Sequence, residues 1–416
     1  MVDLKQIGAD AKCAADILSG LTSARKDAAL EAMAAALIAQ KSEILAANGE
    51  DVIAAEANGI SRSLLDRLTL TSERIDGMAG GIRKVIALTD PVGEVVGGHR
   101  HPNGMRIQKI RVPLGVIGII YEARPNVTSD AAALCLKAGN ASILRGGKEA
   151  LRSNVAITAA LRTGLAECGI PADAVQLIED TSRETAAEMM KMREYIDVLI
   201  PRGGAGLIRA VVEQSTIPVI ETGIGICHVY LDASADCDMA VSVTVNAKVS
   251  RPSVCNAAET LLVHCDVAGR VLPLVAAGLV EAGVELRGCE VTRNLLKDMG
   301  IKAAAEDDWL TEYGDYIMSV KVVDSLDAAV AHIARYGSGH SECIITDSAA
   351  AANRFSAAVD AAAVYVNVST RFTDGEEFGM GAEIGISTQK LHTRGPMGLS
   401  ELTTVKYIIS GEGQIR

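Results

Sequence analysis

The spacing of apolar residues along the chain predicts three kinds of structure. Residues 1–90 have a helical pattern rich in Ala, Leu, Glu and Lys, with stop signals such as Asn48-Gly49. Over 92–112, two alternating stretches flank Asn103-Gly104, a strong short-range signal of a β-hairpin. The rest of the chain alternates short apolar runs with helical segments, which indicates parallel sheets covered by helices.

Two series of strands and helices follow the hairpin. Strands are predicted for the apolar runs at 114–120, 142–144, 174–178, 198–200, 219–220, 228–231, 259–264, 317–323, 341–345 and 363–368. Helices are predicted between them at 126–138, 150–168, 182–193, 204–215, 236–248, 268–282 and 325–335. The β-rich stretch 403–409 stands alone, so we expect it to dock on another element, in this chain or in another subunit.

Composition and charge narrow the functional classes. A chain of 416 residues is too long for one hydrophobic core and indicates two or three domains. The net charge of −12 argues against a sequence-independent grip on nucleic acid. The N-terminus lacks a secretion signal, and the most apolar run is shorter than the roughly 20 residues of a membrane span. Nine cysteines without a CxxC pair indicate reduced thiols, so we expect a cytoplasmic protein without a metal site or a membrane partner.

One cysteine has a reactive setting. Cys255 follows Pro252, which stops the preceding helix, and Lys248 and Arg251 are close in sequence. Nearby cations populate the thiolate, which is the nucleophilic form of the side chain. Most cysteines are nevertheless buried and inert, so this setting alone does not select one thiol among the nine.

Further candidates lie where strands end. Glu221 follows an apolar run and precedes glycines, so it would lie at the carboxyl edge of a sheet as a general base or as a solvated loop residue. The loops at 145–148 and 202–206 carry Gly-Gly pairs before a helix, which allows close approach of a pyrophosphate. A tight turn explains either loop equally well, because neither is a complete dinucleotide motif.

Five long stretches give the chain a resemblance to a known family. It resembles the γ-glutamyl phosphate reductases of proline biosynthesis, a branch of the aldehyde dehydrogenase superfamily, over essentially its whole length. The stretches that carry the resemblance are PLGVIGIIYEARPNVTSDAAALCLKAGNASILRGGKEA at 113–150, LIPRGGAGLI at 199–208, NAKVSRPSVCNAAETLLVH at 246–264, DAAAVYVNVSTRFTDG at 360–375 and FGMGAEIGISTQKLHTRGPMGLSELTT at 378–404.

The resemblance implies an α/β fold of the aldehyde dehydrogenase type. This fold would comprise a Rossmann-like NADPH-binding domain, an αβ catalytic domain and a small β oligomerisation flap. The implied bounds are 1–91 with 113–225 for the cofactor domain, 226–385 for the catalytic domain, and 92–112 with 400–416 for the flap. The implied partners are further copies of the chain, as a dimer or tetramer, and a candidate glutamate kinase that supplies the substrate.

The resemblance also implies a reaction and its residues. NADPH would reduce L-glutamyl 5-phosphate to L-glutamate 5-semialdehyde and phosphate through a thioester, the second step of proline biosynthesis from glutamate. The resemblance makes Cys255 the nucleophile and places the Asn126 amide in the oxyanion hole. For the cofactor, it implies that Lys148 contacts the adenosine ribose, that Gly203 and Gly204 form the pyrophosphate loop, and that Glu312 holds the nicotinamide ribose. Cations for the substrate's phosphate and carboxylate are, in order of preference, Lys248, Arg251, Arg124 and Arg371.

Glu221 leaves an alternative open. It matches the position where hydrolytic aldehyde dehydrogenases keep a general base, but a reductase acting on an acyl phosphate must exclude water. An aldehyde dehydrogenase that hydrolyses its thioester to a free acid is therefore the second hypothesis, and phosphate dependence separates the two. A non-catalytic binding protein on the same fold is the third, and it would leave Cys255 no more reactive than the other cysteines.

Overall fold

The computed structural model describes residues 2–416, which form two compact units. Within the described residues, unit 1 comprises 2–222, Gly379–Gly385 and Met397–Arg416. Unit 2 comprises Gly223–Phe378 and Ile386–Pro396. The change of unit after Thr222 lies close to the predicted boundary at 225, whereas 379–385 belongs to unit 1. The residues predicted as a flap, 92–112 and 400–416, fall within unit 1.

Helices make up the N-terminal segment and then alternate with strands. Their bounds are α1 Leu4–Ser19, α2 Ser23–Ala39, α3 Lys41–Ala57, α4 Arg62–Leu68, α5 Ser72–Ala87, α6 Asn126–Lys137, α7 Leu151–Glu167, α8 Arg183–Met189, α9 Ala205–Gln214, α10 Cys237–Val249, α11 Cys265–Glu281, α12 Glu290–Leu295, α13 Leu326–Tyr336 and α14 Ala349–Ala358. None of these is long and apolar enough to cross a membrane, among the residues that the structure describes.

Within the part of the chain that the structure describes, the strands form four sheets. Their bounds are β1 Val95–Arg100, β2 Arg106–Pro113, β3 Val116–Tyr121, β4 Ala141–Arg145, β5 Val175–Leu177, β6 Val198–Arg202, β7 Cys227–Leu231, β8 Ala258–His264, β9 Glu285–Gly288, β10 Lys302–Ala303, β11 Ile317–Val323, β12 Ser341–Ile345, β13 Ala363–Val366, β14 Ile386–Ser387, β15 Gly395–Pro396 and β16 Thr403–Ser410. The predicted strand at 219–220 is wrong, because that segment makes only an isolated bridge between Val219 and Leu199.

A four-stranded parallel sheet organises unit 1. Its order is β5-β4-β3-β6, and β3 is buried throughout because every residue from Val116 to Tyr121 is apolar or glycine. The chain moves outward from β3 through β4 to β5 and then crosses back to β6 on the other side of β3. The order therefore reverses between β3 and β6, and α/β sheets bind ligands at the carboxyl ends of strands at such a point.

The predicted hairpin is confirmed, and its partner lies in the same chain. β1 pairs with β2, and β2 pairs antiparallel with β16 over eight positions from Thr403 opposite Pro113 to Ser410 opposite Arg106. The Asn140 side-chain amide donates to the Leu402 carbonyl at 2.9 Å, which attaches the start of β16 to the loop before β4. The isolated β-rich tail is thus the third strand of this sheet.

A seven-stranded parallel sheet organises unit 2. Its order is β10-β9-β11-β8-β7-β12-β13, and helix α11 packs on it through buried residues such as Val271, Leu272 and Val275. The central strands β7, β8 and β12 are almost wholly buried, so their apolar residues occupy both faces of the sheet instead of alternating with exposed polar ones. The predicted strands 317–323 and 341–345 are confirmed with the same bounds.

One pair of buried polar side chains links two central strands of this sheet. His228 on β7 and Glu342 on β12 are opposite each other in the register, and both are fully buried. Glu342 Oε2 lies 2.9 Å from His228 Nδ1 and also accepts from the His228 backbone N–H at 2.9 Å. Burial raises the pKa of the Glu342 carboxyl. The pair is therefore a polar element that only mutual hydrogen bonding makes tolerable in the core.

Two further buried histidines make unit 2 sensitive to acid. Burial lowers the pKa of His340 to about 4 and, together with nearby cations, that of His332 to about 3. An unfolded histidine binds its proton at about pH 6.5, so below that pH the unfolded chain binds more protons and the free energy of unfolding falls. Between pH 7 and pH 5 each histidine should cost roughly 2 kcal/mol.

Replacing His340 by glutamine should remove its share of this loss. Urea denaturation of His340→Gln at the two pH values should give a loss about 2 kcal/mol smaller than in the wild type. His101→Gln, at an exposed hairpin residue, is the control and should lose as much as the wild type. An unchanged loss in His340→Gln would contradict a neutral buried His340.

Candidate active site

The glycine loop after β6 lies at the reversal point of the unit 1 sheet. Gly203 and Gly204 connect β6 to α9, and Glu122 follows the neighbouring strand β3. The Gly204 N–H donates to Glu122 Oε2 at 2.8 Å, and a Cβ on Gly203 would come within 2.6 Å of that same oxygen. An anionic group is thus already accommodated by this backbone at the N-terminus of α9, where the helix dipole favours negative charge.

The second glycine loop has a different reason for its glycines. A Cβ on Gly146 would overlap the Asn154 side-chain amide, so the residue is small because α7 packs there. Lys148 follows at the start of a short 3₁₀ turn before α7, and its side chain is exposed. The loop therefore offers an exposed cation beyond the carboxyl end of β4, beside the same edge of the sheet.

Asn126 is the first residue of α6. Its side chain is exposed, and its amide nitrogen donates to Asp130 Oδ2 at 2.9 Å, one helical turn further on. Pro125 precedes the helix and suits the entry, because proline's missing N–H costs nothing before the first turn. Arg124 is partly buried in the same loop.

The Cys255 loop lies in unit 2 between α10 and β8. Cys255 is half-buried, and its carbonyl oxygen accepts from the buried Cys227 thiol at 3.2 Å. A Cβ on Gly225 would overlap the Cys255 backbone, so glycine is required there for the loop to approach this closely. Burial raises the pKa of the Cys227 thiol well above its usual range, which keeps it protonated as a donor. The Cys255 backbone is therefore fixed by the Cys227 hydrogen bond and by close packing against Gly225.

Arg371 and Arg251 bring positive charge to the Cys255 loop. The Arg371 guanidinium donates to Asn256 Oδ1 and, through Nε, to Ser250 Oγ at 2.9 Å. Burial and the neighbouring Arg251 both lower the pKa of Arg371, whereas Cys255 acts in the opposite direction. Arg251 is exposed. The Arg371 guanidinium thus lies within electrostatic range of both the Cys255 thiol and the Arg251 guanidinium.

Asn256 connects the same loop to the segment that carries Arg371. Its side-chain amide nitrogen donates to the backbone carbonyls of Arg371 at 3.2 Å and Thr373 at 2.9 Å, and its backbone carbonyl accepts from Thr370 Oγ1 at 2.7 Å. Sequence reasoning gave Asn256 no role. An asparagine directly after the candidate nucleophile is the signal that could have found it, because a buried amide in a loop needs several partners.

Lys248 has a buried partner. Its ammonium lies 2.6 Å from Glu259 Oε2, and neither side chain is exposed by more than 1%. Glu259 Oε1 accepts from the Gly314 N–H at 3.2 Å, in the loop where Glu312 is exposed. Burial raises the pKa of Glu259 to about 7, and it lowers that of Lys248. The pair joins the end of α10 to the Glu312 loop instead of presenting the ammonium to solvent.

The candidates therefore fall into two sets, one in each unit. Unit 1 holds Asn126, Lys148, Gly203, Gly204, Arg124 and Glu221. Glu221 is partly buried, and its neighbour Thr222 donates its hydroxyl to the Pro201 carbonyl at 2.7 Å. Unit 2 holds Cys255, Arg251, Arg371, Lys248 and Glu312. Glu122, Asp130, Asn256 and Glu259 complete the immediate surroundings, and none of the four had been assigned a role from the sequence.

Comparison with known proteins identifies the family. The model of the aldehyde dehydrogenase family matches residues 2–285. The γ-glutamyl phosphate reductase of Heliobacterium modesticaldum is 59% identical over 414 residues, which cover 100% of this chain and 99% of the relative. That of Moorella thermoacetica is 58% identical over 415 residues, with the same coverage.

Solved structures agree with the sequence relatives. The crystal structure of γ-glutamyl phosphate reductase from Thermotoga maritima superposes with a TM-score of 0.97 at 49% identity, covering 100% of both chains. An acetylating aldehyde dehydrogenase from Geobacillus thermoglucosidasius, 18% identical with a TM-score of 0.70 over 100% of this chain and 97% of its own, shares the fold. The chain belongs to the aldehyde dehydrogenase family and, within it, to the γ-glutamyl phosphate reductases.

Proposed function

We propose that the chain reduces L-glutamyl 5-phosphate to L-glutamate 5-semialdehyde, with release of phosphate, through a thioester on Cys255. The observation that carries the reaction class is the full-length identity of 56–59% to γ-glutamyl phosphate reductases. The observation that supports the covalent step is the half-buried Cys255 thiol within electrostatic range of Arg371. The enzyme is thus an oxidoreductase of proline biosynthesis.

The covalent step uses the cations of unit 2. The Cys255 thiolate attacks the acyl carbon, the bond from that carbon to the phosphate oxygen breaks, and phosphate leaves with the electron pair. Guanidinium groups suit the leaving phosphate because their fork of donors matches its oxygens. The proposed order of phosphate ligands is therefore Arg251 and Arg371 first, with Arg124 for the α-carboxylate. Lys248 is reserved for Glu259, whose buried charge it neutralises.

The residues of unit 1 fit a nicotinamide dinucleotide. At the N-terminus of α9 the Gly204 backbone N–H already donates to a carboxylate, and a pyrophosphate requires donors of the same kind. Lys148 would meet the adenosine ribose, and Glu312 of unit 2 would hold the nicotinamide ribose. The exposed ammonium of Lys148 favours NADPH, since a cation can also meet a 2′-phosphate. The bound cofactor supplies the hydride that reduces the thioester carbon.

Two further side chains are candidates for stabilising the oxyanion and for activating water, Asn126 and Glu221. The amide of Asn126 and the backbone N–H of Cys255 would hold the oxygen that becomes negative during attack on the acyl phosphate and during reduction of the thioester. Collapse of the resulting hemithioacetal releases the semialdehyde and restores the thiolate. Glu221 has no step in this sequence, since activating water would divert the thioester to free glutamate.

The enzyme also needs a compartment, an assembly state and a source of its substrate. We place it in the cytoplasm, where nine free cysteines stay reduced. The sheet of β1, β2 and β16 exposes Tyr407, Ile408 and Ile409 on an edge strand, which supports a homo-oligomeric contact there. A glutamate kinase is the proposed source of the acyl phosphate.

Phosphate dependence tests the reaction class in the reverse direction. Reduction of NADP⁺ by glutamate 5-semialdehyde should require inorganic phosphate, because phosphate is the acceptor that cleaves the thioester. Product analysis should give the acyl phosphate and not free glutamate. Oxidation that proceeds without phosphate and is lost in Glu221→Gln would establish the hydrolytic alternative instead.

The phosphate ligand can be tested at Arg251. Arg251→Gln should raise the KM for phosphate about 10-fold while kcat changes little, because one charged hydrogen bond is lost from bound phosphate. Initial rates at varied phosphate measure this. Arg293→Gln, at another exposed arginine of unit 2, is the control. A normal KM for phosphate in Arg251→Gln would remove this residue from the site.

A further inference from the structure

Asp130 is an acidic residue to which the proposed reaction assigns no task. It lies on α6 four residues after Asn126, and its Oδ2 accepts the Asn126 amide N–H at 2.9 Å. The carboxylate is partly buried, whereas Asn126 is exposed. An acidic side chain in this half-buried position needs a reason, because burial of a carboxylate costs free energy unless its hydrogen bonds recover it.

The carboxylate restricts the Asn126 amide to one orientation. An ionised carboxylate only accepts hydrogen bonds, so the amide must turn its NH₂ group, and not its oxygen, toward Asp130. Of the two hydrogens on that nitrogen, one is used by Asp130 and the other stays available to a second acceptor. A flipped amide would present its oxygen in place of a donor and would repel a developing oxyanion.

Asp130 is surrounded by Ser129, Gly81 and Arg202. Ser129 donates its hydroxyl to the Asn126 carbonyl at 2.9 Å, and its hydrogen bonding also favours the ionised form of Asp130. Helix α5 presents Gly81, on which a Cβ would lie 3.7 Å from Asp130 Oδ1. The charged group that faces Asp130 is Arg202 at the end of β6, which lowers its pKa, but burial outweighs it and raises the pKa to about 6.

We infer that Asp130 is a positioning residue for the reaction, which locks the Asn126 amide with its nitrogen available to the oxyanion. The inference rests on the oxyanion role given to Asn126 under the proposed function. It also predicts a pH effect, because a protonated carboxyl can donate to the amide oxygen and so permits the flipped orientation. The acidic limb of the kcat profile should therefore follow Asp130, with a midpoint at about pH 6.

The test replaces Asp130 by asparagine, which keeps its shape but accepts either orientation of a neighbouring amide. We expect Asp130→Asn to lower kcat about 10-fold with little change in the KM for semialdehyde or phosphate, because alignment and not binding is lost. The limb at about pH 6 should be absent from its profile. Asp238→Asn, in the first turn of α10, is the matched control and should behave like the wild type.

A double-mutant cycle separates this inference from the proposed function. Asn126→Ala alone should lower kcat about 10²–10³-fold, as removal of one oxyanion donor does. Adding Asp130→Asn to that variant should then change kcat less than twofold. An equal loss in both backgrounds, or an unchanged pH limb, would overturn the positioning role. A near-normal kcat in Asn126→Ala would instead refute the oxyanion role itself, whatever Asp130 does.

Discussion

Replacing Cys255 by alanine should abolish turnover in both directions. Without the thiolate no thioester forms, and the hydride has no activated acyl carbon to reduce. Loss of a covalent nucleophile typically lowers kcat by about 10⁴-fold or more. NADPH oxidation with the acyl phosphate and NADP⁺ reduction with the semialdehyde plus phosphate should both fall to background, whereas Kd for NADPH should stay near the wild-type value.

The other thiols provide the control for this expectation. Cys265 is exposed on the first turn of α11, so Cys265→Ala changes a more accessible sulfur while leaving the proposed site intact. Its activity should equal that of the wild type. Iodoacetamide at neutral pH should label Cys255 first, and labelling should parallel loss of activity. Turnover retained in Cys255→Ala would eliminate the covalent mechanism.

Replacing His228 by leucine should cause the largest loss of stability. Glu342 would keep only the His228 backbone N–H as a partner and would remain fully buried without the imidazole. Removing one member of a buried ionisable pair costs about 3–5 kcal/mol, because the other is left without compensation. Urea denaturation at neutral pH should show this as a lower midpoint with an unchanged slope.

Two further variants distinguish a broken pair from a badly filled core. Glu342→Gln keeps an oxygen that can accept from His228 and should cost only about 1 kcal/mol. The double replacement His228→Leu with Glu342→Leu removes both polar groups and should recover most of the loss. If the double variant is less stable than His228→Leu by several kcal/mol, packing volume and not polar compensation governs this position.

Most of the fold was predictable because the strands of its two parallel sheets are rich in apolar residues. The run at 317–323 has the same bounds in the sequence and in the structure, since apolar residues dominate it on both faces although Ser319 and Lys321 interrupt it. Strand β9, Glu285–Gly288, was missed because its charged residues alternate over only four positions. The run at 219–220 is too short to count as a strand, because its pairing with β6 is limited to one bridge between Val219 and Leu199.

The site was predictable only as far as family resemblance carried it. Nothing in the local spacing distinguishes Cys255 from eight other cysteines, and the resemblance supplied its role. Lys248 shows the limit of reasoning from proximity in sequence. Its ammonium forms a buried ion pair with Glu259, four positions after Cys255. Partners such as Glu122 for Gly204 come from distant parts of the chain, so their pairing depends on the fold.

Unit 1 is built from separate stretches of the chain, and this affects how the protein folds during its synthesis. Strand β2 leaves the ribosome long before β16, the strand that later covers its edge. At 5–20 residues per second the delay amounts to about 15–60 s, during which the Gly223–Phe378 segment of unit 2 emerges complete. An open strand edge invites pairing with other nascent chains. Folding yield in the cell should therefore depend on translation speed and chaperone supply more than the stability of the finished protein suggests.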